Sequence, residues 1–123
     1  MNKQERQEYL AKRWTGEGWL PIIMELNKKL EAIDPNYTID QVKEKFGGLR
    51  YYYTTHMRRW ENIRLLGRWG WASAQRRNEK MYKLVQEAER ECWRTCEVCG
   101  ATENVFVKGP GWIKTVCPVH SAQ

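Results

Sequence analysis

Four residues near the C-terminal end have the types and the spacing of a metal site. Cys96 and Cys99 are separated by two residues, as are Cys117 and His120, and seventeen residues lie between the two pairs. A two-residue spacer lets one tight turn direct both side chains of a pair at the same ion, and Zn²⁺ prefers four such sulfur and nitrogen ligands in a tetrahedron. The pattern therefore predicts a zinc site with Cys3His ligation.

The predicted zinc is structural. A closed set of four protein ligands leaves no position open for water or substrate, so the ion would stabilise the fold and take no part in a reaction. The remaining cysteine, Cys92, continues an apolar series with helical spacing and is expected to pack in the core. The start of the chain lacks the apolar segment of a signal peptide, so metal binding explains the cysteines better than disulfides do.

The segment between the two pairs has the composition of a β-hairpin. Two runs rich in β-branched and aromatic residues, 105–108 and 112–116, flank a turn-forming Gly-Pro-Gly tripeptide. Such a hairpin would carry the second pair back to the first, and Gly100 permits the positive φ that can end the first turn. We therefore predict a zinc ribbon over residues 92–123.

For residues 1–91 we predict a domain that is mostly helical and has a small β element, so that the whole chain is α+β and packs as one compact unit. The strand is predicted over residues 49–55, which are nearly all aromatic, aliphatic or β-branched. Residues 67–71 are predicted to be a connection. The hydrophobic periodicity predicts helices over residues 2–14, 21–32, 57–66 and 73–94.

Residues 38–46 are open to two interpretations. A capping-box pattern over residues 38–41 and the helical spacing of Ile39, Val42 and Phe46 favour a short helix. The alternative is a strand that turns at the two glycines that follow.

Basic residues are concentrated in the middle of the chain. The net charge is +6, and residues 41–90 hold twelve Lys and Arg against five Asp and Glu. Arginine pairs with phosphate oxygens, and tyrosine and tryptophan rings can stack on unpaired bases. We therefore expect a nucleic-acid or partner surface in this segment. The candidate contact residues are Arg50, Arg58, Arg59, Arg64 and Arg68.

A strand over residues 49–55 would divide its tyrosines between two faces. Because successive side chains of a strand point to opposite sides, Tyr51 and Tyr53 share one face while Arg50 and Tyr52 share the other. One tyrosine face is expected to lie in the core. Arginine and tyrosine also dominate binding hot spots between proteins, so the same residues would serve a protein partner.

Several blocks of the sequence resemble a family of small phage and prophage proteins to which no activity is assigned. They are residues 18–22 (GWLPI), 41–52 (QVKEKFGGLRYY), 95–100 (TCEVCG) and 111–117 (GWIKTVC). The resemblance covers most of the chain outside residues 58–80. It implies a phage-type accessory protein and supplies no mechanism, although accessory proteins of this size often bind a host machine.

Three functions are consistent with these features. The one we favour is a zinc-ribbon protein that binds nucleic acid through its basic and aromatic middle segment. The second is an inhibitor or modulator of a host protein or ribonucleoprotein machine, of the anti-restriction, anti-CRISPR or transcription-regulating kind. The third is a metal-dependent nuclease, for which His56 without an identifiable catalytic partner is weak support. No apolar stretch is long enough to cross a membrane, and we expect a cytoplasmic protein of the bacterial host.

Overall fold

The computed structural model describes residues 1–56 and 67–121, the side chains of residues 67–73 excepted. These residues form an α+β structure, as predicted, and none of their helices is long and apolar enough to cross a membrane. The helices are α1 (Lys3–Ala11), α2 (Leu20–Ile33) and α3 (Gly67–Trp93), with a 3-10 turn at Glu17–Trp19. The strands are β1 (Thr38–Lys45), β2 (Gly48–Thr54), β3 (Phe106–Lys108) and β4 (Lys114–Val116). They pair as two antiparallel hairpins, β1 with β2 and β3 with β4.

The first two helices begin and end where local chemistry favours it. Asn2 caps α1, its Oδ1 accepting a hydrogen bond of 2.8 Å from the backbone N–H of Glu5. Pro21 lies in the first turn of α2, where its missing N–H costs nothing. Asp34, which precedes a second proline, is extended and ends α2. The helices predicted near residues 2–14 and 21–32 are therefore confirmed with small shifts at their ends.

Residues 38–45 form strand β1, so the short helix favoured for this segment is wrong. A bulge at Asp40 shifts the register between β1 and β2, so that Ile39 and Val42 both point into the core although they are three positions apart. Apolar residues three positions apart also lie on one face of a helix, so this spacing resembled a helical pattern. Asp40 itself bonds across the hairpin, its Oδ2 accepting a hydrogen bond of 2.6 Å from Thr54 Oγ1.

The strand predicted over residues 49–55 is confirmed as β2, and its side chains divide between two faces as expected. Tyr51 is buried and Tyr53 is half-buried against the core. Arg50 and Tyr52 are exposed on the opposite face.

Helix α3 begins earlier than the predicted residue 73. Residues 67–71, predicted as a connection, are helical and continuous with the rest of α3. Their two glycines weaken a helix by only about 1 kcal/mol each, and no proline interrupts the segment. The helix predicted over residues 57–66 lies outside the described residues.

The main core lies between α2, α3 and the β1–β2 hairpin. Cys92 is fully buried in it, close in sequence to the core residues Met81 and Val85, as its helical spacing predicts. Burial raises the pKa of the Cys92 thiol well above its usual value. Cys92 is therefore an unreactive core residue.

A buried arginine ties α1 to the rest of the domain. Arg6 is 1% exposed, and its guanidinium donates hydrogen bonds to the backbone carbonyls of Met1, Pro35 and Tyr37. It also pairs with Glu31 at 3.1 Å. A charged group can be buried at acceptable cost when its N–H groups and its charge are matched in this way.

Replacing Arg6 by Lys is expected to lower the free energy of unfolding by about 1–3 kcal/mol. Lysine keeps the positive charge beside Glu31, but a single ammonium cannot serve three separate carbonyls, and buried acceptors without donors carry that cost. Urea denaturation measures the change. The same substitution at the exposed Arg13 is the control, with an expected change within about 0.5 kcal/mol. Equal stability of the two variants would contradict the role assigned to Arg6.

Candidate functional site

The four residues predicted as metal ligands lie together beyond the C-terminal end of α3. Cys96 and Cys99 belong to the turn that follows α3, Cys117 directly follows β4, and His120 lies three residues later. Their ligand atoms all lie within 4.8 Å of one another. The four residues could therefore hold one metal ion. We call residues 95–121, which contain them, the Cys3His module.

The distances between neighbouring ligand atoms are similar. Cys99 Sγ lies 3.7 Å from Cys117 Sγ. His120 Nδ1 lies 3.6 Å from Cys96 Sγ and 3.2 Å from Cys117 Sγ. Nδ1 is therefore the His120 nitrogen that faces the sulfur atoms, and the even spacing suits a single ion with four ligands.

Backbone hydrogen bonds hold the first cysteine pair in a tight turn. The N–H of Gly100 donates to the Cys96 carbonyl at 2.9 Å, and the N–H of Cys96 donates to the Ala101 carbonyl at 2.8 Å. Gly100 has a φ of 79°, which residues with a side chain rarely adopt. The prediction that Gly100 ends this turn with a positive φ is confirmed.

Backbone N–H groups favour the thiolate form of two ligands. Burial raises the pKa of Cys96, but the N–H groups of Cys99, Cys117 and Val98 outweigh it and lower the pKa to about 6. Burial also raises the pKa of Cys117, and hydrogen bonds from the backbone and ring of His120 bring it below its usual value. Because the thiolate is the metal-binding form, the fold prepares both sulfurs for a cation.

The two ligand pairs are joined by the predicted hairpin, in which Phe106 pairs with Val116. The Cys3His module has its own small core, separate from the main one. Its buried and partly buried members are Cys96, Val116, Cys117, Ala101 and Val105. So few apolar side chains cannot stabilise a segment of this length, which therefore needs another source of folding free energy.

The first cysteine pair is fastened to the beginning of the chain. The N–H of Gly18 donates to the Glu97 carbonyl at 2.8 Å, and the buried Trp19 donates from Nε1 to the Thr95 carbonyl at 2.9 Å. Gly18 approaches so closely that a β-carbon there would lie 2.0 Å from the Cys96 carbonyl oxygen. This contact was not predicted, because a glycine in the sequence does not reveal what it packs against.

The turn between β1 and β2 rests on the Cys3His module. Thr115 Oγ1, which is fully buried, donates a hydrogen bond of 2.6 Å to the Gly47 carbonyl. The Trp93 indole packs against Gly48, where a β-carbon would lie 2.5 Å from Cζ2. Since Gly48 is opposite Lys45, this indole lies on the exposed side of the hairpin.

That exposed side is basic and aromatic. Cross-strand partners point to the same side, so Lys43 stands directly opposite Arg50, and Gln41 stands opposite Tyr52. Lys43 Nζ lies 5.7 Å from the centre of the Tyr52 ring, and Tyr52 is 45% exposed. We call this surface the outer face. It consists of Gln41, Lys43, Lys45, Arg50 and Tyr52.

Of the five arginines predicted to contact a partner, Arg50 lies on the outer face and is exposed. Arg58, Arg59 and Arg64 fall outside the described residues. Arg68 lies in the first turn of α3, in the part described by its backbone. Of the five, Arg50 is therefore the one whose side chain belongs to the described part of the chain.

Lys43 and Lys45 were not predicted as contact residues. The helix favoured for residues 38–46 concealed the alternation in which these lysines point outward while Val42 points inward. The alternative interpretation, a strand that turns at the two glycines, would have placed both lysines on the side opposite Val42.

In comparisons with known proteins, no family model, no curated protein and no solved structure matched the chain. The resemblance to phage and prophage proteins therefore stays a prediction.

Proposed function

We propose that the chain is a zinc-ribbon protein that binds nucleic acid through the outer face of the β1–β2 hairpin. The observation that carries the proposal is the pairing of Lys43 with Arg50. Like charges directly opposite each other weaken a hairpin. An anion placed between the two side chains would relieve that repulsion, and a nucleic acid offers phosphate groups in series.

Aromatic side chains beside these cations support nucleic acid as the partner. Tyr52 lies next to Lys43, and Trp93, which is 39% exposed, flanks the end of the outer face near Lys45. Surfaces that bind single strands combine cations for the phosphates with rings on which bases stack. A host protein or ribonucleoprotein could use the same cations, so that alternative is an outcome of the test below.

Zinc is the metal that the four ligands suit best. Thiolates and imidazole are soft or borderline ligands, which Zn²⁺ prefers and which Mg²⁺ and Ca²⁺ avoid. Tetrahedral zinc with bonds of about 2.3 Å places two sulfur atoms about 3.8 Å apart. The separation of Cys99 Sγ and Cys117 Sγ is 3.7 Å. With four protein ligands, the ion would act as a structural clamp for the Cys3His module.

Reversing the charges of the central pair, with Lys43→Glu and Arg50→Glu, is expected to weaken binding to a single-stranded oligonucleotide at least about tenfold. The variant should also show a shallower salt dependence, because each lost phosphate contact lowers the slope of log affinity against log salt by about one. Fluorescence anisotropy titrations with labelled DNA and RNA at two salt concentrations measure both quantities. Circular dichroism checks that the variant is folded.

The matched control makes the same change in net charge on α2, with Lys28→Glu and Lys29→Glu, which are exposed and distant in sequence from the outer face. We expect it to lose less than about threefold in affinity. Equal losses in the two variants would assign binding to net charge and not to the outer face. If the wild-type protein binds no more tightly than about 10⁻⁴ M at physiological salt, nucleic acid is not the partner and a protein takes its place.

A further inference from the structure

Phe46 has a backbone conformation and an exposure that folding alone does not favour. It is the first of the two residues that turn the chain between β1 and β2, and its φ of 54° precedes a φ of 83° at Gly47. Two positive φ values define a type I′ turn, in which asparagine or glycine is the usual choice and a bulky residue is rare. The Phe46 ring is also 64% exposed, so it gains little from burial.

We infer that Phe46 is a contact residue on which an unpaired base of the bound strand stacks. The inference rests on the proposed function and narrows its ligand to single-stranded DNA or RNA. A residue in a strained conformation, where a common alternative would fold better, points to a role outside folding. Bases within a duplex are stacked on one another, so their faces are not open to a side chain.

The surroundings of Phe46 fit a strand that runs along the outer face. Lys45 Nζ lies 5.6 Å from the centre of the Phe46 ring, and Lys43 lies farther along the same face. These cations can pair with the phosphates on either side of a base that stacks on the ring. The hydrogen bond from Thr115 to Gly47 fixes the turn, so the ring is presented from a rigid backbone, which lowers the entropy cost of binding.

A second exposed ring belongs to a residue next in sequence to one that packs on this turn. The Ile113 side chain approaches Gly47, where a β-carbon would lie 3.3 Å from Ile113 Cγ2. The residue before it, Trp112, is 75% exposed.

Phe46→Asn separates binding from folding. Because asparagine adopts a positive φ readily, we expect the Tm to rise by a few degrees. We expect the affinity for a single strand to fall about tenfold or more, which is the range for loss of one stacked base. Phe46→Tyr keeps the ring and should keep the affinity within about twofold. Anisotropy titrations give the affinities, and quenching of a 2-aminopurine placed in the strand reports stacking directly.

Three results would overturn the inference. If Phe46→Asn binds as tightly as the wild type while Lys43→Glu with Arg50→Glu does not, the proposed function stands and Phe46 is not the stacking residue. If the wild type prefers a duplex to a single strand of the same length, bases do not stack on the turn. If the wild type binds neither, the proposed function itself fails and the exposed ring is a protein contact.

Discussion

Replacing Cys96 by Ala is expected to abolish the proposed zinc binding and to unfold the Cys3His module. The module has only a small core of its own, so a bound ion would supply most of its folding free energy. In small zinc domains this contribution is about 10–16 kcal/mol at neutral pH. Loss of one thiolate leaves three ligands and removes much of this folding free energy. Elemental analysis of the purified protein would show the loss of metal, and amide hydrogen exchange would show loss of protection over residues 95–121.

Cys92 offers a matched control, because the same substitution four residues earlier removes a thiol from the main core. Cys92→Ala is expected to lower the free energy of unfolding by about 1–2 kcal/mol and to leave the zinc content unchanged. A Cys92→Ala protein without zinc would make Cys92 a ligand. A Cys96→Ala protein that keeps both its zinc and its protected module would refute the assigned site.

The Cys3His module also affects a surface that lies outside it. The turn that presents Phe46 is held by Thr115 of β4 on one side and by Trp93, at the end of α3, on the other. Every residue of the outer face belongs to β1 or β2, yet the end of this hairpin is positioned by the module. The Cys3His module, which could hold a metal ion, is therefore in direct contact with the hairpin that carries the proposed binding surface.

The cluster of Cys96, Cys99, Cys117 and His120 could be predicted from the sequence because its geometry is largely local. A two-residue spacer determines how close two ligands can come, and one short hairpin joins the two pairs. The strand over residues 49–55 could be predicted for a similar reason, since β-branched and aromatic residues fit a pleated, half-buried surface. In both cases residues close together in the sequence determine the structure.

Strand β1 was the alternative prediction and not the favoured one, because one irregularity altered its pattern. In a regular strand Ile39 and Val42 would point to opposite faces, and the bulge at Asp40 turns both inward. A bulge depends on the partner strand, so sequence periodicity within β1 could not reveal it. Phe46, the third apolar residue of that pattern, lies in the turn between β1 and β2 and is exposed there.

Contacts between distant segments could not be predicted either. Burial of Arg6 depends on the carbonyl groups of Pro35 and Tyr37 in the loop after α2, and the sequence does not show where backbone carbonyls will point. The approach of Gly18 to the first cysteine pair is of the same kind. Hydrogen-bond partners of the backbone become visible only when the fold is known.

Gly18→Ala is expected to destabilise the protein by more than about 4 kcal/mol. A β-carbon at Gly18 would lie 2.0 Å from the Cys96 carbonyl oxygen and 2.5 Å from the Gly100 nitrogen. Both are backbone atoms and are hydrogen-bonded to each other at 2.9 Å, so neither can move without opening the cysteine turn. The other way to relieve the clash is to move the 3-10 turn, which breaks the bond from Gly18 to Glu97 and withdraws Trp19 from the core.

Thermal unfolding and zinc affinity, measured on the same variant, distinguish these two responses. If the cysteine turn opens, zinc affinity falls together with stability, because Cys96 is displaced. If the 3-10 turn moves away, stability falls while zinc affinity is largely kept, and the fluorescence of Trp19 shifts towards that of an exposed indole. Gly109→Ala is the control, since its β-carbon would meet nothing nearer than Ile113 Cγ1 at 3.9 Å, and we expect a change within about 0.5 kcal/mol. A Gly18→Ala protein as stable as this control would mean that the beginning of the chain does not pack against the cysteine turn in solution.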